Sequence, residues 1–388
     1  MRILFYADGR SAISLNWLKY WIQRGDQVHL VSSYPCAKPD GLASFQVLPV
    51  AFGSFKKQNK PKEQNPLVWG AGSMSLRLTL RQWLAPLTLP AGGQALSQVV
   101  QHIQPDIVHA LRIPYEGMTA AAARLHVPLI ISVWGNDFTL HARSSPWLAA
   151  WTRRVLQATV GLHTDCHRDQ RLAADWGFRK GLSTLVIPGN GGIDPHIFHP
   201  PAAPVPDPVI INPRGFRNYV RNDTFFKSIP LVLERMPQAR FKAVAMQGEK
   251  VARQWVERLG IQHAVELLPH LAHPDMADLF RSAALLVSPS THDGSPNSVL
   301  EGMASGCLPI VGDIESLREW ISTGDNGLLV NPGDPADLAD SILTGLGDQD
   351  LRLKAARVNA SIISQRADYK TCMEQAAAFY EVVIDHGI

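Results

Sequence analysis

The sequence predicts an α/β protein of two doubly wound, parallel-sheet lobes with a cleft between them. Three observations carry this. The chain has 388 residues, about two or three domains' worth, and at 46% hydrophobic and 18% charged it holds apolar material for two cores. Short apolar runs alternate with helical patterns, the signature of βαβ units and a parallel sheet. The alternation stops at a stretch dense in Gly and Pro, "IPGNGGIDPHIFHPPAAPVPDP" (187–208), and restarts beyond it, which marks a linker.

The first half opens with "RILFYAD" (2–8), a strand. "SLNWLKYWIQRG" (14–25) follows, apolar at Leu15, Leu18, Trp21 and Ile22 as a helix requires, with Gly25 as its stop. "QVHLVSS" (27–33), "DIVHAL" (106–111) and "PLIISVWG" (128–135) are the next strands, the last two separated by a helix near 116–125. The second half restarts with a strand at "PVIINPRG" (208–215), a helix at "FFKSIPLVLERM" (225–236) and a strand at "RFKAVAM" (240–246). The pattern continues through "VARQWVERLG" (251–260), "AVELLPHL" (264–271), "MADLFRSA" (276–283), "ALLVSPS" (284–290), a helix at 296–305 and "CLPIVGD" (307–313). The expected domains are 1–190 and 200–370, with a C-terminal helix at about 370–388 free to pack back on the first. In such lobes ligands bind beyond the carboxyl ends of the strands.

Composition excludes several classes. A net charge of +3 is too small to argue for nucleic acid as partner. The four cysteines, Cys36, Cys166, Cys307 and Cys372, form no C-x-x-C pair, so neither a disulfide framework nor a zinc site is expected and a reducing, cytoplasmic setting fits. His163, Cys166 and His167 lack the fourth ligand of structural zinc. No G-x-G-x-x-G follows the first strand, which argues against a NAD enzyme. "MRILFYADGR" reads as a strand, not a signal peptide, and no apolar stretch approaches the roughly 20 residues of a membrane helix. Residues 53–90 break the rhythm. Lys56, Lys57, Lys60 and Lys62 precede Leu76, Leu80, Trp83 and Leu84 near one face, flanked by Arg77 and Arg81. One reading lays this segment on an anionic inner-membrane surface as a peripheral contact; the other is a solvated lysine loop and a helix packed on its own lobe.

The stretch "STHDGSPNSVLEGMASGCLPIV" (290–311) carries an acid, Asp293, before a helix and a second, Glu301, inside it. Ser295 as N-cap, Pro296 at the first position and Gly306 at the end suit a capped helix and nothing more. Capping does not explain Glu301. A helix N-terminus at a strand's carboxyl edge attracts a diphosphate, and the small residues Gly294, Ser295 and Ser298 let a ligand approach. The cap and Glu301 stand roughly 9 Å apart at 1.5 Å per residue. Carboxylates accept paired hydroxyls, so Asp293 suits sugar hydroxyls and Glu301 a ribose diol.

The block from "SPSTHDGSPNSVLEGMASGCLPIVGD" through "GDNGLLVNPGDPADLADSI" resembles the donor-binding half of the retaining GT-B glycosyltransferases of family 4, whose hallmark is two Glu separated by seven residues. Here the first is Asp293, one methylene shorter, and Glu301 matches the second. "GNGGIDPHIFHP" (189–200) is similar to the family's interdomain signature and "RILFYADGRSAISLNWLKYWIQRGDQVHLVS" to its first βαβ. The resemblance implies the GT-B fold of two Rossmann-like lobes. It also implies a nucleotide-sugar donor, UDP- ahead of GDP- or ADP-sugar, and a glycan, lipid-linked or small-molecule acceptor in polysaccharide biosynthesis.

The departures fall at charged positions. The family places an Arg and, five residues later, a Lys at the diphosphate. In "NPRGFRNYVRND" Arg214 fits the first, Tyr219 stands at the second, and Arg217 and Arg221 are the substitute cations, or solvated loop arginines. The family's first-lobe His corresponds to His109 in "PDIVHALRIPYEG", a site residue or a strand-end histidine. "SVWGNDF" (132–138) resembles the family's H-G-x-D turn with Trp134 for His, leaving Asp137 as the polar candidate or as a turn cap. Asp8 and Arg10 after the first strand suit the acceptor side, though an Asp-Gly turn explains Asp8 as well.

The activity expected is metal-independent glycosyl transfer with retention and no resident cofactor. Arg214, Asp293, Asp137 and His109 are the catalytic candidates. The donor set is Arg214, Arg217, Arg221, Gly294, Ser295, Pro296, Asn297, Ser298 and Glu301. The diphosphate leaves with electrostatic help as oxocarbenium-like charge develops, and lobe closure about 187–208 excludes water. A sugar-nucleotide epimerase and a non-catalytic donor-binding subunit are the rival readings.

Overall fold

A computed structural model of the chain describes residues 1–50, 88–203 and 208–386. Residues 51–87, the greater part of the 53–90 segment set aside above, lie outside the described residues. The chain divides into two compact units: Met1–Asp165 with Asp169–Asn190 and Gln375–Ile388, and Cys166–Arg168 with Gly191–Glu374.

In the first unit the chain runs β1 (Arg2–Ala7), α1 (Ala12–Arg24), β2 (Gln27–Ser32), β3 (Ser44–Val47), α2 (88–103), β4 (Ile107–Ala110), α3 (Met118–Ala122), β5 (Leu129–Val133), α4 (Pro146–Ala158), β6 (Gly161–Thr164), α5 (His167–Asp175) and β7 (Ser183–Val186). All strand pairs are parallel and the order is β3-β2-β1-β4-β5-β6-β7. The strands "IVHA", "LIISV" and "GLHT" are buried along their whole length, as strands covered on both faces must be. Gly25, in the left-handed conformation, ends α1 by donating to the carbonyls of Trp21 and Ile22, as expected of it. The helix expected near 116–125 is shorter. A wide turn over Ile113–Gly117 precedes the five residues of α3.

The second unit holds β8 (Val209–Asn212), α6 (Asn222–Arg235), β9 (Arg240–Ala243), α7 (Lys250–Leu259), β10 (Val265–Leu267), α8 (His273–Arg281), β11 (Leu285–Ser288), α9 (Asn297–Ala304), β12 (Leu308–Gly312), α10 (Glu315–Arg318), β13 (Leu328–Val330), α11 (Pro335–Gly347) and α12 (Gln349–Arg366). Its sheet is parallel, in the order β10-β9-β8-β11-β12-β13. Apolar clusters cover both faces, one around Phe225, Phe241 and Ile310, the other around Phe280, Leu286 and Met303. The last helix, α13 (Tyr369–His386), ends within the first unit's portion of the chain. There its Phe379 and Val383 lie against Gly161 so closely that a Cβ on that glycine would stand 3.0 and 2.7 Å from them. No described helix is long and apolar enough to cross a membrane.

Candidate active site

In each sheet the winding reverses once. In the second unit the chain lays down β8, β9 and β10 in one direction and β11, β12 and β13 in the other, so the reversal lies between β8 and β11. A crevice opens at such a point beyond the carboxyl ends of the strands. Arg214 follows β8 and Asp293 follows β11, so the two flank it.

Arg214 is placed by a buried amide relay. Asn222 Nδ2 donates to the Gly215 carbonyl at 2.9 Å, Asn212 Nδ2 to Asn222 Oδ1 at 3.2 Å, and Asn212 Oδ1 accepts the Arg214 N–H at 3.1 Å. The guanidinium Nη2 then donates to both Asp293 oxygens, at 2.9 and 3.1 Å. Burial opposes the Arg214 charge, but Asp293 and Tyr219 more than offset it and hold its pKa above the ordinary value. The Asp293 loop is fixed from behind. Its carbonyl accepts from Arg168 Nη1 at 2.7 Å and from Ser316 Oγ at 2.6 Å. Gly312 has no room for a Cβ, which would stand 2.2 Å from the Ser290 carbonyl oxygen.

Helix α9 begins at Asn297, one residue later than expected, and no side chain caps it. Ser295 is not the N-cap: its Oγ accepts the Trp320 indole N–H at 2.8 Å. By contrast α4, α11 and α12 are capped by Ser145, Asp334 and Asp348. The open end of α9 thus offers backbone donors and its dipole to an anion. Beside it the buried Asn297 Oδ1 and Ser298 Oγ atoms have no partner among the described residues. Glu301, one turn on, is buried, and burial pushes its pKa up to about 7 against the pull of Arg214. It makes no ion pair among the described residues. Gly302 lets the helix press onto β11, where a Cβ would meet Leu286 Cδ1 at 2.4 Å.

The structure therefore brings together Arg214, Asp293, Gly294, Ser295, Pro296, Asn297, Ser298 and Glu301 around one crevice. Two expected cations are otherwise engaged. Arg221 binds Asp223 through two hydrogen bonds of 2.9 and 3.0 Å, and Arg217 is exposed and donates to the Tyr219 hydroxyl at 3.0 Å. Sequence reasoning missed Arg168, which sits far away in the chain. It also missed Tyr219, treated as a departure although its hydroxyl lies near the Arg214 guanidinium.

The first-unit candidates need correction. His109 lies inside the sheet, in β4, and is fully buried. The hydrogen bonds fix its proton positions. His163 Nε2 meets the Ile187 carbonyl at 3.1 Å and must donate; His163 Nδ1 then accepts from Ser132 Oγ at 2.7 Å. Ser132 Oγ accepts from His109 Nε2 at 2.8 Å, and His109 Nδ1 accepts from the Tyr380 hydroxyl. Every group is satisfied with both imidazoles neutral, and burial holds both pKa values below normal. Asp137 is a structural anchor: it accepts from Arg112 Nε at 3.2 Å, from the Trp134 N–H at 3.2 Å and from the Ile113 N–H at 3.4 Å. Asp8 and Arg10 pair with each other at 2.9 and 2.8 Å, with the guanidinium 4.1 Å from the Tyr34 ring centre.

Residues 208–348 match the family model of glycosyl transferases group 1, and residues 9–189 match that of the glycosyl transferase 4-like domain. Each half of the chain thus resembles a glycosyltransferase domain, and the fold is GT-B. Solved structures bear out the fold. Sucrose-phosphate synthase from Thermosynechococcus elongatus superposes with a TM-score of 0.77 at 14% identity, over 99% of this chain and 100% of that one. Anabaena HepE in complex with UDP-glucose gives 0.71 at 18% identity, over 98% and 100%. Among curated proteins, D-inositol 3-phosphate glycosyltransferase 1 of Catenulispora acidiphila is 30% identical over 129 residues, 33% of this chain and 31% of its own length. The putative glycosyltransferase EpsD of Bacillus subtilis is 26% identical over 315 residues, 75% and 80% of the two chains. The first two curated relatives are matched over about a third of their own length, 31% and 38%.

Proposed function

We propose that this GT-B chain transfers a sugar from a nucleotide-diphosphate donor to a hydroxyl acceptor with retention of anomeric configuration. The observation that carries the reading is the cluster at the second unit's winding reversal: a buried Arg214–Asp293 pair, an uncapped helix end and a buried, unpaired Glu301. Arg214 and the α9 N-terminus supply positive potential where the diphosphate leaves. Asp293, with two oxygens fixed by Arg214, orients the sugar hydroxyls. Glu301 accepts the ribose diol. In this reading Arg214 and the helix dipole take the place of a divalent cation, so transfer persists in EDTA. UDP is the first nucleotide to test, because a structure of similar fold holds UDP-glucose.

Transfer is measured as UDP release from UDP-sugars with and without acceptor, with proton NMR of the product's anomeric coupling. Acceptor-dependent release with retained configuration is expected. Donor conversion without any acceptor would support an epimerase instead, and binding without release a non-catalytic subunit. An inverted product would sink the retaining assignment.

A further inference from the structure

The first sheet also reverses its winding, between β1 and β4. Beyond these strands and β2 stand Asp8, Ser33 and Glu116, each from a different loop. Glu116 is buried, and its Oε1 accepts from Ser33 Oγ at 2.5 Å, its one side-chain donor among the described residues. Asp137, at the same edge, is by contrast held by a guanidinium and two backbone N–H groups.

The turn that carries Glu116 is strained. Tyr115 sits at φ 72° and ψ −59°, a γ-turn geometry that side-chain-bearing residues rarely adopt. Gly117 closes the turn onto the Arg112 carbonyl at 2.9 Å, and a Cβ there would stand 2.9 Å from that same oxygen. Strain of this kind persists where the fold must aim a group, and it gathers at ligand sites. The charges reaching the Glu116 carboxyl are Arg112 on the same turn and Asp8 beyond β1, and the neutral phenol of Tyr6 in β1 lies near it. Burial raises the acid to about 7 against the opposing pull of Ser33, of its own backbone N–H and of Arg112.

We propose that Glu116 is the acceptor-binding carboxyl of the first unit, hydrogen-bonded to a hydroxyl of a polyhydroxylated acceptor at the β1–β4 reversal, with Ser33 as its positioning residue. The proposal rests on the transfer reading above. A carboxyl suits this work because it accepts two hydroxyls when ionised. Neither Asp8, paired with Arg10, nor Asp137 has that capacity to spare.

The test uses the full chain, with Glu116→Gln and Ser33→Ala variants checked for folding by thermal unfolding. UDP-induced stabilisation is measured first. Its loss in the wild type would overturn the donor reading; its retention in both variants separates the two questions. Binding of methyl glycosides of glucose, galactose, mannose and N-acetylglucosamine is then followed by saturation-transfer NMR with UDP present, across pH 6 to 8. At least one glycoside is expected to bind the wild type more tightly as pH rises through about 7 and to bind Glu116→Gln at least tenfold more weakly with a flat profile. In Ser33→Ala the profile should move to higher pH, because the donor that favours the ionised form is gone. No glycoside bound by the wild type, or equal affinity and an equal pH profile in Glu116→Gln, would overturn the proposal.

Discussion

Glu301 makes opposite demands on stability and on function, and Glu301→Gln separates them. Burial raises its pKa from 4.5 to about 7. Between those values the unfolded chain gives up the proton while the native state keeps it. The native state therefore binds more protons, and stability falls as pH rises through this window. The cost is absent below the unfolded value and complete above the folded one. At about 1.4 kcal/mol per tenfold in proton affinity it reaches about 3 kcal/mol at pH 8 and about 1 kcal/mol at pH 5. Glutamine keeps the shape and removes the charge. The variant should therefore melt higher than the wild type by about 6–12 °C at pH 8 but only about 2–4 °C at pH 5, taking 2–4 °C per kcal/mol for a unit of this size. Both proteins are scanned at both pH values, so the titrations they share, those of His109 and His163 included, cancel in the difference. UDP should then stabilise the variant less than the wild type. Losing hydrogen bonds to a charged acceptor, each about 1.5–3 kcal/mol, weakens binding by at least tenfold. An equal gain at both pH values would refute the raised pKa. A loss of stability at pH 8 would show that ionised Glu301 is stabilised, by Arg214, more than burial penalises it.

Other outcomes follow from the same geometry. Arg214→Met should cost about 3–5 kcal/mol by stranding the Asp293 carboxylate, and adding Asp293→Asn should recover part of the loss; a chemical-denaturation double-mutant cycle measures it. Gly302→Ala should destabilise by about 1–2 kcal/mol despite alanine's helix preference, because its Cβ meets Leu286, and Leu286→Val should relieve it. Tyr380→Phe leaves His109 Nδ1 without a donor in the interior. It should lower stability by about 1–3 kcal/mol with UDP-induced stabilisation unchanged. His109 and His163, neutral when folded, should make wild-type stability decline as pH falls below about 6.5, where the unfolded imidazoles take up protons.

What was legible in the sequence follows the reach of each physical signal. Local periodicity located β1, α1, β2 and the β11–α9–β12 unit, because strand burial and helix stripes repeat within a few residues. It did not give β3 or β7, whose edge positions leave several residues only half-buried. Asp293 and Glu301 were legible because one helix and its approach carry both. Ser295 misled for the same local reason. Its residue type suits a cap, but Trp320, 25 positions on, claims its hydroxyl. His109 was legible only as an open choice between a site residue and a strand-end histidine, because Tyr380, which bonds it, lies 271 positions away. Arg168 joins the donor crevice from a segment that no pattern near residue 293 announces.

The two units differ in how much charge they leave unspent, and that difference separates their candidate groups. In the second unit Arg214 is tied to Asp293, yet the α9 end is uncapped and Glu301 is unpaired, so binding an anionic, hydroxyl-bearing ligand satisfies groups the fold left open. In the first unit Asp137, His109, His163 and the Asp8–Arg10 pair are all satisfied internally. A ligand there gains little from them, because it would have to replace bonds already made. Glu116 is the exception, a buried carboxyl on a strained turn with one side-chain donor. If the second unit fixes the donor by its open charges, the first can select an acceptor by hydroxyls placed to meet one ionised carboxyl. That is why the acceptor's pH dependence should follow Glu116, while the donor's should follow Glu301.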